Sequence, residues 1–301
     1  MSSITAVGEV RAAGWAHRAR VVLGLFKLRI GAVIAFTALA GWAVASGPAL
    51  SAWQVVVLGL AVFLSSASAG AFNQYVERDV DARMKRTQRR AFVTGELPHS
   101  RAWLGVILGL VAASTVAAWW ALNGWSALYT FLGAFIYAVV YTVWLKRRTW
   151  MNIVIGGLAG SSAVLAGAAA VDPHIGAVPA ILAVILFLWT PPHFWSLAIA
   201  FRKDYEAARV PMLPVVVGSA RASQAIFAHA VALVALSVAP VFFGLGAIYL
   251  AAAVAGGILL LRRCWALLRE PGPQRAMAAF HASLTQLSLL LLGAIIDGTW
   301  W

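Results

Sequence analysis

Long apolar runs dominate this chain. Windows of about 20 mainly apolar residues, the length that crosses roughly 30 Å of hydrocarbon at about 1.5 Å per helical residue, occur nine times: 29–47, 53–74, 102–121, 124–145, 151–171, 176–198, 222–243, 245–264 and 277–297. The pattern predicts an all-α polytopic membrane protein, a bundle of about nine transmembrane helices. The longest polar interval, residues 75–101, is too short for a soluble domain, so the chain divides into an N-terminal segment, 1–28, and a single intramembrane domain, 29–301. That segment lacks an apolar stretch followed by a small-residue cleavage site and does not read as a secretory signal. Its run RAAGWAHRARVVLGLFKLR interleaves bases with Trp15, Val21, Val22 and Phe26, as expected of a short interfacial helix leading into the first span.

Composition agrees. Of 301 residues 62% are hydrophobic and 11% charged, with mean hydropathy +0.85, whereas about a quarter of residues are charged in soluble domains. All 23 Lys and Arg fall in the N-terminal segment (Arg11, Arg18, Arg20, Lys27, Arg29), in 78–101, in KRR at 146–148, in 202–221 and in 262–275. Those are one end and every even-numbered connection. The opposite connections, SGPALS, LNG, VDPHIG, FFGLG and the terminal DGTWW, have neither base. The positive-inside rule therefore predicts a cytoplasmic N-terminus and an external C-terminus. The net charge of +13 is mostly explained by topology, which weakens the case for a nucleic-acid surface. Trp53, Trp103, Trp125, Trp144, Trp150, Trp300 and Trp301 lie near span ends and read as interfacial anchors. The single cysteine, Cys264, excludes an intramolecular disulfide and a cysteine metal site, and reads as a packing residue.

The stretch NQYVERDVDARMKRTQRR, 73–90, stands apart from this background. Asn73, Glu77 and Asp81 are spaced four apart, so on a continuous helix they share one face while Asp79 points elsewhere. Two carboxylates and an amide oxygen on one face suit a hard cation such as Mg²⁺, which takes one or two carboxylates and completes its shell with water and substrate phosphates. The bases that follow, Arg83, Lys85, Arg86, Arg89 and Arg90, can supply a phosphate clamp. A solvated helix end whose charges neutralise each other would also account for the bases, but topology needs no acids.

A second polar island, WTPPHFWSLAIAFRKDYEAARVPMLP, closes the sixth span. Pro191 and Pro192 are expected to interrupt that helix, and His193 lies inside the membrane, where an ionisable side chain is a candidate for function as well as for neutral packing. Arg202, Lys203 and Asp204 mark the same edge as the first island. KRRTWMN, Lys146 to Asn152, adds Lys146 and Arg147, with Tyr141 and Tyr137 about one and two turns earlier. Three basic islands and one acidic face describe a pocket for a metal-bridged polyanion under apolar helices; a diphosphate at the rim with a lipid tail in the bundle fits. Of the other histidines, His17, His99 and His174 read as surface, and His229 and His281 as packing. Asp172 and Asp297 read as helix caps, and Gly156, Gly157, Gly160 and Gly167 as close-packing positions.

NQYVERDVDARMKRTQRR, YTVWLKRRTWMNIVIGGLAGSSAVLAGAAA and PPHFWSLAIAFRKDYEAARVPMLPVV resemble, in order and spacing, the diagnostic segments of the protohaem IX farnesyltransferases, or haem O synthases, of the UbiA-type intramembrane prenyltransferase superfamily. The resemblance covers roughly 24–295. It implies a nine-helix bundle in the inner membrane opening to the cytoplasmic side. It also implies Mg²⁺ on Asn73, Glu77 and Asp81, with Glu77 where the superfamily's first motif has Asp. Farnesyl diphosphate would lie among Arg86, Arg90, Lys146, Arg147 and Lys203, the allylic cation near Tyr137 or Tyr141, and a vinyl group of haem b would be the acceptor. The second acidic motif of quinone-type relatives is not present: His193 stands at its start, Leu197 follows four residues on, and only Asp204 is acidic nearby. Ala91 replaces the usual proline after Arg90. In this reading His193 ligates or orients haem or binds a propionate, and Asp204 holds Lys203 or Arg202 or supports the metal from outside. The resemblance further suggests association with the enzyme that converts haem O to haem A. A prenyltransferase for an aromatic or quinone-precursor acceptor and a haem or lipid transporter are the competing readings. His193 in place of the second acidic motif argues against the first of these, and the diphosphate clamp against the transporter.

Overall fold

The computed structural model describes residues 2–300, with side chains for 14–299. The expectations for Arg11, Trp300 and Trp301 concern side chains outside this range. All regular structure among the described residues is helical. In chain order the helices are α1 (Ser2–Leu25), α2 (Leu28–Ala43), α3 (Ala52–Val76), the short α4 (Arg78–Asp81) and α5 (Ala91–Thr94), α6 (Arg101–Ala121) and α7 (Gly124–Phe135). A π-helix (Ile136–Leu145), α8 (Asn152–Gly156), α9 (Leu158–Val171), α10 (Ala177–Ala200), α11 (Arg202–Ala207) and α12 (Leu213–Leu236) follow. A 3₁₀ turn (Ala239–Phe243), α13 (Ala247–Arg269) and α14 (Pro273–Trp300) complete the chain.

Among the described residues, eight helical stretches are long and apolar enough to cross a membrane, and a ninth is formed if the bent pair Gly14–Leu25 and Leu28–Ala43 counts as one span. The protein is thus a multi-pass helical membrane protein. The first expected span, 29–47, is shortened: α2 has only 16 residues and meets α1 at 48°. The expected break at Pro191 and Pro192 does not occur, because α10 runs through both. Each proline removes one backbone donor from the helix, and Thr190 Oγ1, donating to Leu186 O at 3.0 Å, adds a side-chain bond in the same turn.

Close helix approach sets the interior. A Cβ on Gly41 would collide with the Val164 backbone of α9, and one on Gly167 with the Ala38 carbonyl of α2, so these two glycines let α2 and α9 pack backbone to backbone. Gly156 and Gly157 similarly face Tyr141 and Thr190, as their packing role predicts. Asp297 does cap a helix: its Oδ2 accepts from Tyr249 N, 2.8 Å away, in the first turn of α13. Cys264 is buried. Trp53, Trp125, Trp144 and Trp150 are exposed on the outside, as anchors should be, but Trp189 and Trp195 are buried between helices.

Candidate active site

The site is assembled where the bases of three chain segments meet. Its first wall is the break between α1 and α2. The last carbonyls of a helix lack internal donors; here buried Gln74 Nε2 donates to Leu25 O at 2.8 Å and to Gly24 O at 3.3 Å. Lys27 then adopts a left-handed backbone, φ 48°, uncommon for a residue other than glycine. That turn aims its side chain inward: Nζ donates to Asn73 Oδ1 at 2.8 Å and lies 3.4 Å from the Tyr137 hydroxyl. Sequence reasoning counted Lys27 only as a topogenic charge, since nothing in local spacing ties it to Asn73, 46 residues later.

Asn73, Glu77 and Asp81 are all buried, at 3%, 0% and 2% exposure. Their helix is not continuous as expected: Glu77, at φ −92° and ψ 16°, separates α3 from α4. The three stay together because backbone bonds still link Glu77 N to Asn73 O and Asp81 N to Glu77 O. Asn73 Nδ2 donates to Glu77 Oε2 at 2.7 Å and to Thr142 Oγ1 at 3.1 Å. Lys146 Nζ donates to the same Glu77 oxygen at 2.5 Å, and Arg90 Nη1 to Asp81 Oδ2 at 2.6 Å. Buried charges persist only when paired, so these bonds explain how two carboxylates are tolerated at this depth.

Glu77 Oε1 is buried and has no hydrogen-bond partner. A buried acceptor without a partner is costly, and a carboxylate oxygen beside a second carboxylate is the hard donor that Mg²⁺ takes. Among the described residues no three His, Cys, Asp or Glu side chains converge. An ion held here would take at most the two carboxylates of Glu77 and Asp81, with Asn73 orienting Glu77, and would fill its other positions from substrate and water.

The π-helix supplies the third wall. Its wider turn stacks the Tyr137 and Tyr141 rings with centroids 5.6 Å apart and planes 10° apart. Thr142 Oγ1 donates to Tyr137 O at 2.8 Å, which orients it to accept from Asn73. Lys27 Nζ lies 6.0 Å from the Tyr137 ring centre and Lys146 Nζ 5.5 Å from that of Tyr141.

Around this centre runs an exposed rim. Arg147 grips Asp79 with two bonds, 2.6 and 2.9 Å, and this pairing holds the Asp79 carboxyl below its usual range and the guanidinium above its own. Arg86 reaches the second island, with its backbone N donating to Asp204 Oδ2 at 3.2 Å and Nη2 3.4 Å from the Tyr205 hydroxyl. Asp204 thus anchors the loop of Arg86 rather than Arg202 or Lys203. Arg202 pairs with Glu206 at 2.7 Å and Lys203 is exposed, so neither joins the buried cluster. His193 also stands away from it: its contacts are with Trp189, Phe194, Phe280 and Ser283 in the seam between α10 and α14.

The chain and its fold match one class of protein. The model of the UbiA prenyltransferase family covers residues 34–289, and the chain belongs to that family. It is 51% identical over 278 residues to protoheme IX farnesyltransferase 2 of Paramagnetospirillum magneticum, covering 92% of this chain and 96% of that one. Among solved structures it is similar to a digeranylgeranylglyceryl phosphate synthase, with TM-score 0.77, 17% identity and coverage of 95% and 100%. A UbiA homologue from Archaeoglobus fulgidus bound to GPP and Mg²⁺ matches with TM-score 0.65, 20% identity and coverage of 90% and 99%.

Proposed function

We propose that this chain transfers the farnesyl group of farnesyl diphosphate to a vinyl group of haem b, giving haem O and diphosphate. The structural observation behind this reading is Glu77, buried beside Asp81 with one oxygen held by Lys146 and the other without a partner. The relative named as a protoheme IX farnesyltransferase, aligned over nearly the whole of both chains, supports the choice of donor and acceptor.

Glu77 and Asp81, with Asn73 orienting Glu77, would hold Mg²⁺, which screens the diphosphate and stabilises the charge it gains as the C–O bond breaks. Lys146 and Arg90 neutralise the acids in the structure described here, and Lys27 is held by the Asn73 amide oxygen. With substrate bound, their donors turn to diphosphate oxygens, joined by Arg86 from the rim. The stacked faces of Tyr137 and Tyr141 border the allylic cation, and the surrounding apolar helices keep water from it. Attack by the vinyl group leaves a second cation, and water adds to it with loss of a proton to give the hydroxyethylfarnesyl side chain. Arg147, Arg202 and Lys203 contribute positive field at the rim rather than contacts in the buried layer. The protein sits in the inner membrane with a cytoplasmic N-terminus, an external C-terminus and the site opening to the cytoplasm, where haem O passes to the enzyme that oxidises it to haem A.

The test is incubation of purified protein with haem b, farnesyl diphosphate and Mg²⁺, followed by mass spectrometry of the extracted haems. Haem O is expected from wild type and is expected to vanish with chelator and with Glu77→Gln. Farnesylation of a quinone precursor in place of haem would overturn the choice of acceptor.

A further inference from the structure

His193 is an expected site residue that is buried yet stands outside the acid–base cluster, and its surroundings are specific. Trp189 covers one face of the imidazole, with centroids 4.2 Å apart and planes at 19°, and Phe280 stacks at 4.4 Å and 27°. These neighbours cover both faces of the ring and Phe194 stands perpendicular to it at 4.9 Å, so only part of its edge remains for polar contacts. On that edge Nδ1 lies 2.8 Å from Ser283 Oγ.

The hydroxyl of Ser283 has one proton, and its destination is fixed. Ser283 Oγ lies 2.7 Å from Phe280 O in the preceding turn of α14. Two oxygens that close require a proton between them, so Ser283 donates to Phe280 and can only accept from His193. Trp189 Nε1, donating to Ser283 O at 2.8 Å, ties the same residue to α10 from its backbone side. His193 is 7% exposed within a helix long enough to span the membrane, where the neutral imidazole is the favoured form. A neutral ring with its proton on Nδ1 has a bare lone pair on Nε2, and no donor to that atom exists among the described residues.

This is the arrangement of a metal-ligating histidine: one nitrogen held by a hydrogen bond that sets tautomer and orientation, the other free. About two turns toward the basic end, a shallow surface groove of about 560 Å³ lies between the end of α10 and the start of α14, lined by Ala200, Phe201, Met277 and His281. Arg86 of the diphosphate rim lies over the Phe201 ring at 5.6 Å. The groove therefore adjoins the edge of the site already described.

We propose that Ser283 holds His193 as the Nδ1–H tautomer so that its bare Nε2 ligates the iron of the acceptor haem. The α10–α14 seam is then the acceptor's side of the active site, opposite the acid–base layer that takes the diphosphate. This rests on the reading that haem b is the acceptor. Ser283 is a positioning residue that acts through His193.

Purified protein loaded with haem b and reduced can be examined by absorption and resonance Raman spectroscopy. Wild type is expected to show an iron–imidazole stretching band. His193→Ala should lose that band and regain an imidazole-ligated spectrum when free imidazole is added, which also shows the fold intact. Ser283→Ala should shift the band and retain haem roughly tenfold less tightly, with Ser283→Thr restoring both. His193→Ala with a wild-type iron spectrum overturns the proposal and leaves the acceptor reading standing. If His193→Ala takes up no haem even with imidazole, the serine pair decides, and an unshifted band in Ser283→Ala overturns it. Wild type that binds no haem at all overturns both the ligand assignment and the acceptor.

Discussion

Two ion pairs join the same two stretches of chain, Glu77 with Lys146 and Asp79 with Arg147, each acid two residues from the other and the bases adjacent. Their side chains differ in exposure: 1% and 11% for the first pair, 52% and 43% for the second. The outer pair has the better geometry, a two-pronged guanidinium–carboxylate bond, yet water screens it, and such pairs contribute about 0–1 kcal/mol. The inner pair has a single contact and leaves Glu77 Oε1 without a partner. Burial, not geometry, separates the group that can do chemistry from the one that fastens a loop.

The largest expected effect comes from splitting the inner pair. Lys146→Ala leaves a buried carboxylate uncompensated and should destabilise the protein by about 3–5 kcal/mol, read as an earlier thermal unfolding transition in detergent, with activity lost as well. Adding Glu77→Gln to it should recover much of that stability and none of the activity, separating the structural role of the pair from the catalytic role proposed for it.

Glu77→Gln alone keeps the shape and removes the charge. Haem O formation should fall roughly 100-fold or more, measured as initial rate at saturating Mg²⁺. Lys27→Met comes next, weakening farnesyl diphosphate binding roughly tenfold through loss of one charged hydrogen bond, measured by titration calorimetry.

The smallest effect belongs to the outer pair. Asp79→Asn should change stability by less than about 1 kcal/mol, an effect that shrinks further in high salt. The Asp79 carboxyl is held below its usual range by Arg147, so its contribution is present above the unfolded carboxylate value, about 3.9. It is lost as pH falls through the lower folded value. The difference between wild type and Asp79→Asn should therefore be flat above about pH 5 and vanish on strong acidification, which unfolding scans across that range would show.

Much of this was legible from the chain. Apolar runs gave the helices because hydrocarbon thickness fixes their length, and the spacing of Asn73, Glu77 and Asp81 survived the kink at Glu77 because backbone bonds continue through it. Features that depend on distant partners were not legible. Lys27 carries no local sign that it meets Asn73, and Gln74 none that it closes the end of α1. The π-helix that stacks Tyr137 on Tyr141 follows no hydropathy pattern, since both helix types are equally apolar. Pro191 and Pro192 read as a break because the sequence shows the donors they lack, not the neighbouring helices that hold α10 together. Arg202 and Lys203 were placed by proximity in sequence, but Glu206 and exposure direct them elsewhere.

The most direct test of the buried layer as the diphosphate site is calorimetric titration of farnesyl diphosphate into the purified protein at increasing Mg²⁺, for wild type, Glu77→Gln and Asp79→Asn. Binding that strengthens with Mg²⁺ in wild type and Asp79→Asn, and loses that dependence in Glu77→Gln, is the predicted result. Equal Mg²⁺ dependence in all three would contradict the account and move the metal site away from Glu77.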